Sequence, residues 1–230
     1  MVPEYKIYQT AETPRSLVIF LHGYNGNLQD HQYAVDWLCS AIKSACIVTP
    51  EAPQQCDKNP DKKQWFGMLK YDPERRRSMP ETPTDEIFAI YNKAREDIDA
   101  CAADINEFIT QMQQKLNTPD SRTYLIGFSQ GAMLTIYTAL TRRGPLAGAF
   151  SLSGLVAGSE LLAGKITARP PLYLLHGEND LKVQYKTLPN SISWLKQHGI
   201  NARAKSFADL AHKINQEEIN YIAKIINQTS

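Results

Sequence analysis

The stretch from residue 122 to residue 143 constrains the fold more than any other part of the chain. An apolar run over 122–128 ends in the pattern Gly-x-Ser-x-Gly at 127–131, and a largely apolar run with helical spacing follows directly. A strand, a sharp turn and a helix in this order present a serine above the end of a parallel sheet. The two glycines suit a turn in which a β-carbon would collide with neighbouring backbone. We therefore expect Ser129 to be a nucleophile, with the backbone N–H of Gln130 directed at the substrate oxygen.

Strand-like and helix-like patterns alternate along the whole chain. Strands are predicted at 6–8, 16–21, 46–49, 122–128, 148–152, 171–175 and 202–207, and helices at 28–44, about 83–117, 129–143, 189–198 and the carboxyl end. Tyr33, Val35, Trp37 and Leu38 are expected on the buried side of the first helix. This alternation is typical of an α/β fold with a doubly wound, mostly parallel sheet flanked by helices. We predict a single domain over residues 1–230.

Residues 51–82 interrupt the alternation with a long, proline-containing and highly charged segment. A loop of this length in a compact domain tends to be functional. Its apolar residues Trp65, Phe66, Met68 and Leu69 need a place to bury, so we expect them to form the wall of a substrate groove or a lid that touches a membrane. The alternative is that Trp65 and Phe66 pin the segment to the core.

A serine nucleophile needs a base, and the base needs a carboxylate that orients it. Three histidines follow Ser129 in the chain, and His212 suits the base because it lies in a short loop after the last strand. His198 lies at a predicted helix end, where capping is the commoner role. His176 ends a strand and is expected to hydrogen-bond the backbone.

Asp180 is the preferred carboxylate, since it follows a strand end after a glycine-containing turn. Glu178 and Asp209 compete with it, although Asp209 is close enough to His212 for a local turn role. The loop after the first central strand normally supplies the second N–H for the substrate oxygen, and Tyr24 is the residue expected to provide it. His22 in the same loop is expected to be structural.

Composition limits the range of partners. The net charge of +1 offers no electrostatic basis for nucleic-acid binding, and the arginines at 75–77 are flanked by acidic residues, so we expect a solvated loop face. The spacing of the four cysteines fits no metal site, and no cofactor motif is present. No apolar stretch reaches membrane-spanning length and the amino terminus lacks a signal peptide pattern, which favours a cytoplasmic location.

Several segments together resemble the phospholipase/carboxylesterase family of α/β-hydrolases, which includes the acyl-protein thioesterases. They are Phe-Leu-His-Gly at 20–23, Pro-Glu-Ala-Pro at 50–53, Gln-Trp-Phe at 64–66, Gly-Phe-Ser-Gln-Gly at 127–131, His-Gly-Glu-Asn-Asp at 176–180 and Ala-His at 211–212. The resemblance covers nearly the whole chain in family order. The chain departs from the family pattern at Tyr24, Glu51, Gln184 and Lys213, none of which is a candidate triad residue.

The resemblance implies hydrolysis of carboxylic esters or thioesters by Ser129, Asp180 and His212, with the substrate oxygen held by the amides of Tyr24 and Gln130. The implied substrates are small esters, lysophospholipids or acyl-thioesters. A homodimer and transient contact with a membrane stay open. So do two other functions: a lactonase similar to dienelactone hydrolases, which normally use a cysteine where this chain has Ser129, and a binding module without catalysis.

Overall fold

The computed structural model describes residues 3–229, and among these residues a sheet of seven strands forms the centre of the molecule. The strands of the chain are β1 (Tyr5–Gln9), β2 (Ser16–Leu21), β3 (Ala45–Pro50), β4 (Gln54–Gln55), β5 (Lys63–Gln64), β6 (Thr123–Phe128), β7 (Gly148–Leu152), β8 (Leu172–Gly177) and β9 (Ala202–Phe207). The α-helices are α1 (Gln32–Ala41), α2 (Thr84–Lys93), α3 (Arg95–Leu116), α4 (Gln130–Thr141), α5 (Ser159–Leu162), α6 (Thr187–Gln197) and α7 (Gln216–Thr229).

The sheet has the order β1-β3-β2-β6-β7-β8-β9. β1 pairs with β3 in antiparallel fashion, and every other neighbouring pair in this sheet is parallel. The carboxyl ends of β2, β6, β8 and β9 therefore meet at one edge, which is where open α/β sheets place their ligands. The predicted doubly wound, mostly parallel sheet flanked by helices is confirmed. β4 and β5 form a separate small hairpin inside the 51–82 segment.

The two faces of the sheet bury separate apolar clusters. Alternate residues of β2 divide between them, with Leu17, Ile19 and Leu21 on one face and Val18 and Phe20 on the other. Helices α2, α3, α4 and α6 cover the first face, while α1 and α7 cover the second. All six residues of β2 are buried, as are those of β3, β6 and β8, as expected for parallel strands with helices on both sides. No helix within residues 3–229 is long and apolar enough to cross a bilayer.

Three local predictions are wrong. The predicted long helix is divided at Ala94, whose N–H bonds back to the carbonyl of Tyr91 at 3.1 Å in a tight turn. At this break, the Arg95 guanidinium donates to the carbonyl of Asn92 at 3.0 Å. The stretch between β7 and β8, where no helix is predicted, contains the one-turn helix α5. Tyr33, expected on the buried side of α1, is 38% exposed.

Candidate active site

Ser129 occupies a strained turn between β6 and α4. Its φ of 55° and ψ of −114° lie in a region that residues with side chains rarely adopt. Both flanking glycines are required, because a β-carbon on Gly127 would stand 2.2 Å from the carbonyl oxygen of Gly131, and one on Gly131 would stand 2.4 Å from that of Leu21. The Ser129 N–H donates to the Leu152 carbonyl at 2.9 Å. The turn is therefore tied to β7 as well as to its own strand and helix.

Three polar side chains from the ends of three strands meet at this turn. The Oγ of Ser129 lies 2.9 Å from Nε2 of His212, and Nδ1 of His212 lies 2.7 Å from Oδ2 of Asp180. An ionised carboxylate can only accept, so Nδ1–H donates to Asp180 and Nε2 is left to accept the serine proton. Ser129 and Asp180 are buried, whereas the side chain of His212 is 19% exposed. A proton can thus pass directly from the serine hydroxyl to the imidazole.

Asp180 is held in its ionised form by its surroundings. Its Oδ1 accepts the backbone N–H groups of Lys182 at 2.9 Å and Val183 at 3.0 Å. Burial alone would raise the pKa of Asp180, but the His176 ring, whose Nε2 lies 3.5 Å from Oδ2, and the hydrogen bond from His212 hold that pKa well below its usual range. The carboxylate therefore stays negative and can stabilise a positive charge on His212.

The other polar candidates have different positions. Nε2 of His176 donates to the carbonyl of Val183, and Nδ1 of His198 donates to the carbonyl of Trp194, each at 2.8 Å. Glu178 and Asp209 are exposed, and Asp209 adopts a left-handed turn conformation with a φ of 58°. The structure thus brings Asp180, and neither of its two competitors, to His212. Within residues 3–229, no three His, Cys, Asp or Glu side chains are grouped to share a metal ion.

The loop after β2 presents an unused N–H beside the serine. In the described part of the chain, the backbone N–H groups of Tyr24 and Gln130 donate no hydrogen bond, and both residues line the same cavity as Ser129. His22 shapes this loop: its Nδ1–H donates to the Gly23 carbonyl at 2.8 Å, and its Nε2 accepts the N–H of Ala52 at 3.0 Å. Burial lowers the pKa of His22 to about 4, so its ring stays neutral and structural.

The Gln130 side chain fastens the 51–82 segment to the serine turn. Its Oε1 accepts the backbone N–H of Trp65 at 2.9 Å, and its Nε2 donates to the carbonyl of Phe66 at 2.7 Å. The Trp65 indole N–H donates to the carbonyl of His22 at 2.7 Å. Trp65 and Phe66 are 1% and 0% exposed and belong to the core cluster on one face of the sheet. This corrects the expectation that they form a groove wall: they pin the segment to the core.

A cavity of about 280 Å³ opens beside Ser129. Its lining residues are Tyr24, Asn25, Lys58, Met68, Arg75, Arg77, Ser78, Tyr91, Ser129, Gln130, Met133, Lys182, Val183 and His212. Of the residues expected to form a groove, Met68 lines this cavity. Leu69 is half-buried and is not part of the lining, because the chain turns at this point. The volume lies near the lower end of the range of about 300–1,000 Å³ that is usual for small-molecule sites.

The arginine run at 75–77 is not a uniformly solvated face, and this corrects a further expectation. Arg75 and Arg77 line the cavity, and Arg77 is 11% exposed in an ion pair of 2.7 Å with Asp72. Arg76 pairs with Glu86 and does not line the cavity. Alternate members of the run thus face different surroundings, because a 3₁₀ turn over Arg76–Ser78 follows Arg75 in a left-handed conformation.

Asp57 organises this wall, although nothing in the local sequence singles it out. Its carboxylate accepts the backbone N–H groups of Met68 at 3.0 Å and Leu69 at 2.9 Å, and also the hydroxyl of Tyr24. Asp57 therefore links the loop after β2 to the cavity wall. The link depends on a contact between residues 33 positions apart, which a local pattern cannot reveal.

The far end of the same segment is attached to the loop that carries Asp180. The Oγ of Ser78 donates to the carbonyl of Lys182 at 3.1 Å, and Nε2 of Gln184 donates to that of Met79 at 2.8 Å. The Lys186 ammonium donates to the carbonyl of Thr82 at 2.7 Å. The 51–82 segment is therefore fixed on both sides of the candidate site.

Comparison with protein families matches residues 3–230 to the family described as Phospholipase/Carboxylesterase. The chain belongs to this family. A stretch of 127 residues is 32% identical to acyl-protein thioesterase 1 homolog 1 of Dictyostelium discoideum and covers 54% of this chain. The match spans about half of that relative, 56% of its length. Carboxylesterase SOBER1 of Arabidopsis thaliana is 22% identical over 222 residues, 93% of this chain and 90% of that protein.

Solved structures agree with the fold. The crystal structure of esterase PE8 superimposes with a TM-score of 0.80 and 25% identity, covering 100% of both chains. That of Arabidopsis thaliana SOBER1 has a TM-score of 0.74 at 21% identity, covering 94% of this chain and 99% of that one. These comparisons confirm the predicted α/β-hydrolase fold. The relatives bear the names of carboxylesterases and acyl-protein thioesterases, so the predicted enzyme class, carboxylic ester hydrolase, is confirmed at the level of the family.

Proposed function

We propose that the protein hydrolyses carboxylic esters or thioesters through a covalent acyl-enzyme on Ser129. The observation that carries the proposal is the hydrogen-bond chain from the Ser129 hydroxyl to His212, at 2.9 Å, and from His212 to Asp180, at 2.7 Å. A serine hydroxyl is a weak nucleophile at neutral pH and needs such a base. Membership of a phospholipase/carboxylesterase family supports the same reaction.

In the first half of the reaction, the Oγ of Ser129 forms a bond to the carbonyl carbon while its proton moves to Nε2 of His212. His212 then gives this proton to the departing alkoxide or thiolate as the carbon–oxygen or carbon–sulfur bond breaks. In the second half, water attacks the acyl-enzyme, His212 accepts a proton from that water, and the proton returns to Ser129 as the acid leaves. Asp180 stays ionised throughout and stabilises the imidazolium.

The negative charge of the tetrahedral intermediate needs donors that are already in place. We assign this role to the backbone N–H groups of Tyr24 and Gln130. Two observations support the assignment: neither N–H has an acceptor within the described residues, and both residues line the cavity beside Ser129. Gln130 also begins α4, so the positive end of that helix favours an oxyanion at the same place.

The substrates that we propose are small esters, lysophospholipids or acyl-thioesters, without a cofactor. The name of the Dictyostelium discoideum relative favours thioesters, and the name of the Arabidopsis thaliana relative favours esters. We place the reaction in the cytoplasm, which is consistent with four cysteines that are all unpaired. Homodimer formation and transient contact with a membrane belong to the same proposal.

A fluorophosphonate probe tests the proposal, since it labels an activated serine and leaves a binding module unlabelled. We expect the wild-type protein to be labelled, and Ser129→Ala to fold without being labelled. Asp180→Asn should abolish most hydrolysis of a p-nitrophenyl ester, and the exposed Asp209→Asn provides the matched control. Loss of activity in Asp209→Asn with full activity in Asp180→Asn would contradict the assignment of the carboxylate.

A further inference from the structure

The cavity beside Ser129 has an excess of positive charge. Among its described lining residues are the four cations Lys58, Arg75, Arg77 and Lys182, and none is an Asp or Glu. The chain as a whole is almost balanced, with 25 Lys and Arg against 24 Asp and Glu. The excess is therefore a property of this cavity and does not follow from a basic protein.

Three of these cations lack an internal counter-ion. Lys58, Arg75 and Lys182 form no ion pair within residues 3–229, whereas Arg77 is paired with Asp72. Three other cations from the same stretch of chain, none of them in the lining, are paired: Lys62 with Asp30, Lys70 with Asp97 and Arg76 with Glu86. Lys63 in the same stretch is outside the lining and also has no ion pair with a described residue, so what distinguishes the cavity is that it gathers three cations without an internal counter-ion where a substrate would enter.

The backbone that carries these cations is held in place. The carboxylate of Asp72 accepts the backbone N–H of Arg77 at 3.2 Å and its guanidinium at 2.7 Å, directly after Arg75 in its left-handed conformation. In the loop to which Ser78 is hydrogen-bonded, the backbone N–H of Lys182 donates to Asp180 at 2.9 Å. A bound group that contacts Arg75 and Lys182 is therefore held in a fixed relation to the proposed triad.

The rest of the lining limits the size and character of the ligand. Met68, Tyr91, Met133 and Val183 supply an apolar part, and the volume of about 280 Å³ suits a small ester with one anionic group. In physiological salt the Debye length is about 8 Å, which is comparable to the dimensions of such a cavity. Lys58, Arg75 and Lys182 are exposed, so an anionic group on a bound ester would interact with them under partial screening by salt and solvent.

We propose that the protein selects esters that carry an anionic group, a carboxylate or a phosphate, close to the scissile bond, and that Arg75 and Lys182 hold this group. The inference rests on the proposed hydrolase function and names the substrate class of that same site. A guanidinium presents a planar pair of N–H donors that matches a carboxylate or a phosphate, and Lys182 adds a mobile point charge. A neutral ester of the same length gains none of these contacts.

Matched esters test the proposal by pH-stat titration, which detects the acid released from any substrate. Monoethyl adipate is compared with ethyl hexanoate for a carboxylate on the acyl side, and a butyryl ester of glycerol phosphate with monobutyrin for a phosphate on the alcohol side. For at least one pair we expect kcat/KM of the anionic ester to exceed that of the neutral one by about tenfold, as one charge-assisted contact can supply. The pair with the larger ratio identifies the anion. The ratio should fall in about 0.5 M NaCl, where the Debye length is shorter.

Two substitutions test whether Arg75 and Lys182 cause the preference for the anionic ester. Arg75→Gln and Lys182→Gln should each reduce the ratio of kcat/KM between the anionic and the neutral ester, mainly through KM of the anionic one. Arg76→Gln is the matched control, because it removes one positive charge from the adjacent position outside the lining. It should leave the ratio and the hydrolysis of the neutral ester unchanged.

The outcomes separate this inference from the function on which it rests. If the neutral esters are hydrolysed and both ratios are one or less in wild-type protein, the inference is wrong and the hydrolase function stands. A high ratio that Arg75→Gln, Lys182→Gln and added salt all leave intact also overturns the inference. If no ester is hydrolysed and Ser129 resists the fluorophosphonate probe, the proposed function itself fails. The wild-type ratio and its salt dependence decide the matter even if a variant does not fold.

Discussion

The Gln130 side chain offers the sharpest test of how the long segment is attached. If Gln130 acted only through its backbone N–H, its side chain could be removed without loss of activity or stability. In the structure, however, this side chain is the partner of two buried backbone groups, the N–H of Trp65 and the carbonyl of Phe66. Gln130→Ala leaves both groups unsatisfied. Each such group costs about 1–3 kcal/mol, so for the two groups we expect a loss of roughly 2–6 kcal/mol in the free energy of unfolding.

Urea denaturation measures this loss, and two further variants separate its causes. Gln130→Met keeps most of the volume and removes both hydrogen bonds, so it should lose nearly as much stability as Gln130→Ala. Gln55→Ala removes an exposed glutamine from the same segment, and its cost should stay within about 0.5 kcal/mol. The activity of Gln130→Ala toward a p-nitrophenyl ester should also fall, because the wall that carries Met68 loses its attachment to the serine turn.

The reasoning is refuted if Gln130→Ala unfolds within about 0.5 kcal/mol of wild-type protein and keeps its kcat/KM. A large loss in Gln130→Ala together with no loss in Gln130→Met would assign the effect to packing. In that case the two hydrogen bonds would not be what holds Trp65 and Phe66 in place.

The other predictions concern the serine turn, the cavity wall and a buried carboxyl group. Gly131→Ala should abolish activity, because its β-carbon would stand 2.4 Å from a carbonyl oxygen of β2, whereas Gly164→Ala, with its nearest neighbour at 3.9 Å, should behave as wild type in the same esterase assay. Met68→Ala should change the relative rates on p-nitrophenyl esters of increasing chain length, and Leu69→Ala, outside the lining, should leave their proportions unchanged. Burial raises the pKa of Glu218 from 4.5 to about 7, so the folded protein holds this proton more tightly than the unfolded chain does. The proton on Glu218 therefore contributes its full stabilisation below about pH 4.5. This stabilisation is lost as the pH rises through about 7, which lowers the free energy of unfolding by roughly 3 kcal/mol. Thermal unfolding of Glu218→Gln should show greater stability than wild type at pH 8 and little or no gain at pH 4.5, and equal differences at both pH values would contradict this assignment.

Sequence periodicity was sufficient to predict the positions of the buried parallel strands. Buried parallel strands appear as continuous apolar runs, so β2, β6 and β7 were located to within a residue of their observed ends. The turn at Ser129 was also evident, because steric conflict restricts two positions to glycine and thereby leaves a pattern in the sequence. Features that depend on local geometry and on strong steric limits are those that a single sequence reveals.

Features that depend on distant contacts were not predictable. The apolar periodicity continues through Ala94, so the division between α2 and α3 leaves no mark in the sequence. The burial of Trp65 depends on acceptors from residues 22 and 130, which are 43 and 65 positions away. Residues 51–82 lack a regular period because hydrogen bonds to other parts of the chain, rather than a repeating pattern, determine their conformation.

The attachment of the 51–82 segment at both ends has a consequence for folding during synthesis. Its amino-terminal half can bind the serine turn once Gln130 has been made, but the carbonyls of Met79 and Thr82 obtain their side-chain donors from Gln184 and Lys186, more than a hundred residues later. Contacts of such long sequence separation form late. The pocket should therefore close after most of the sheet has assembled, and a nascent chain that ends before β8 should hold its serine turn without a finished pocket around it.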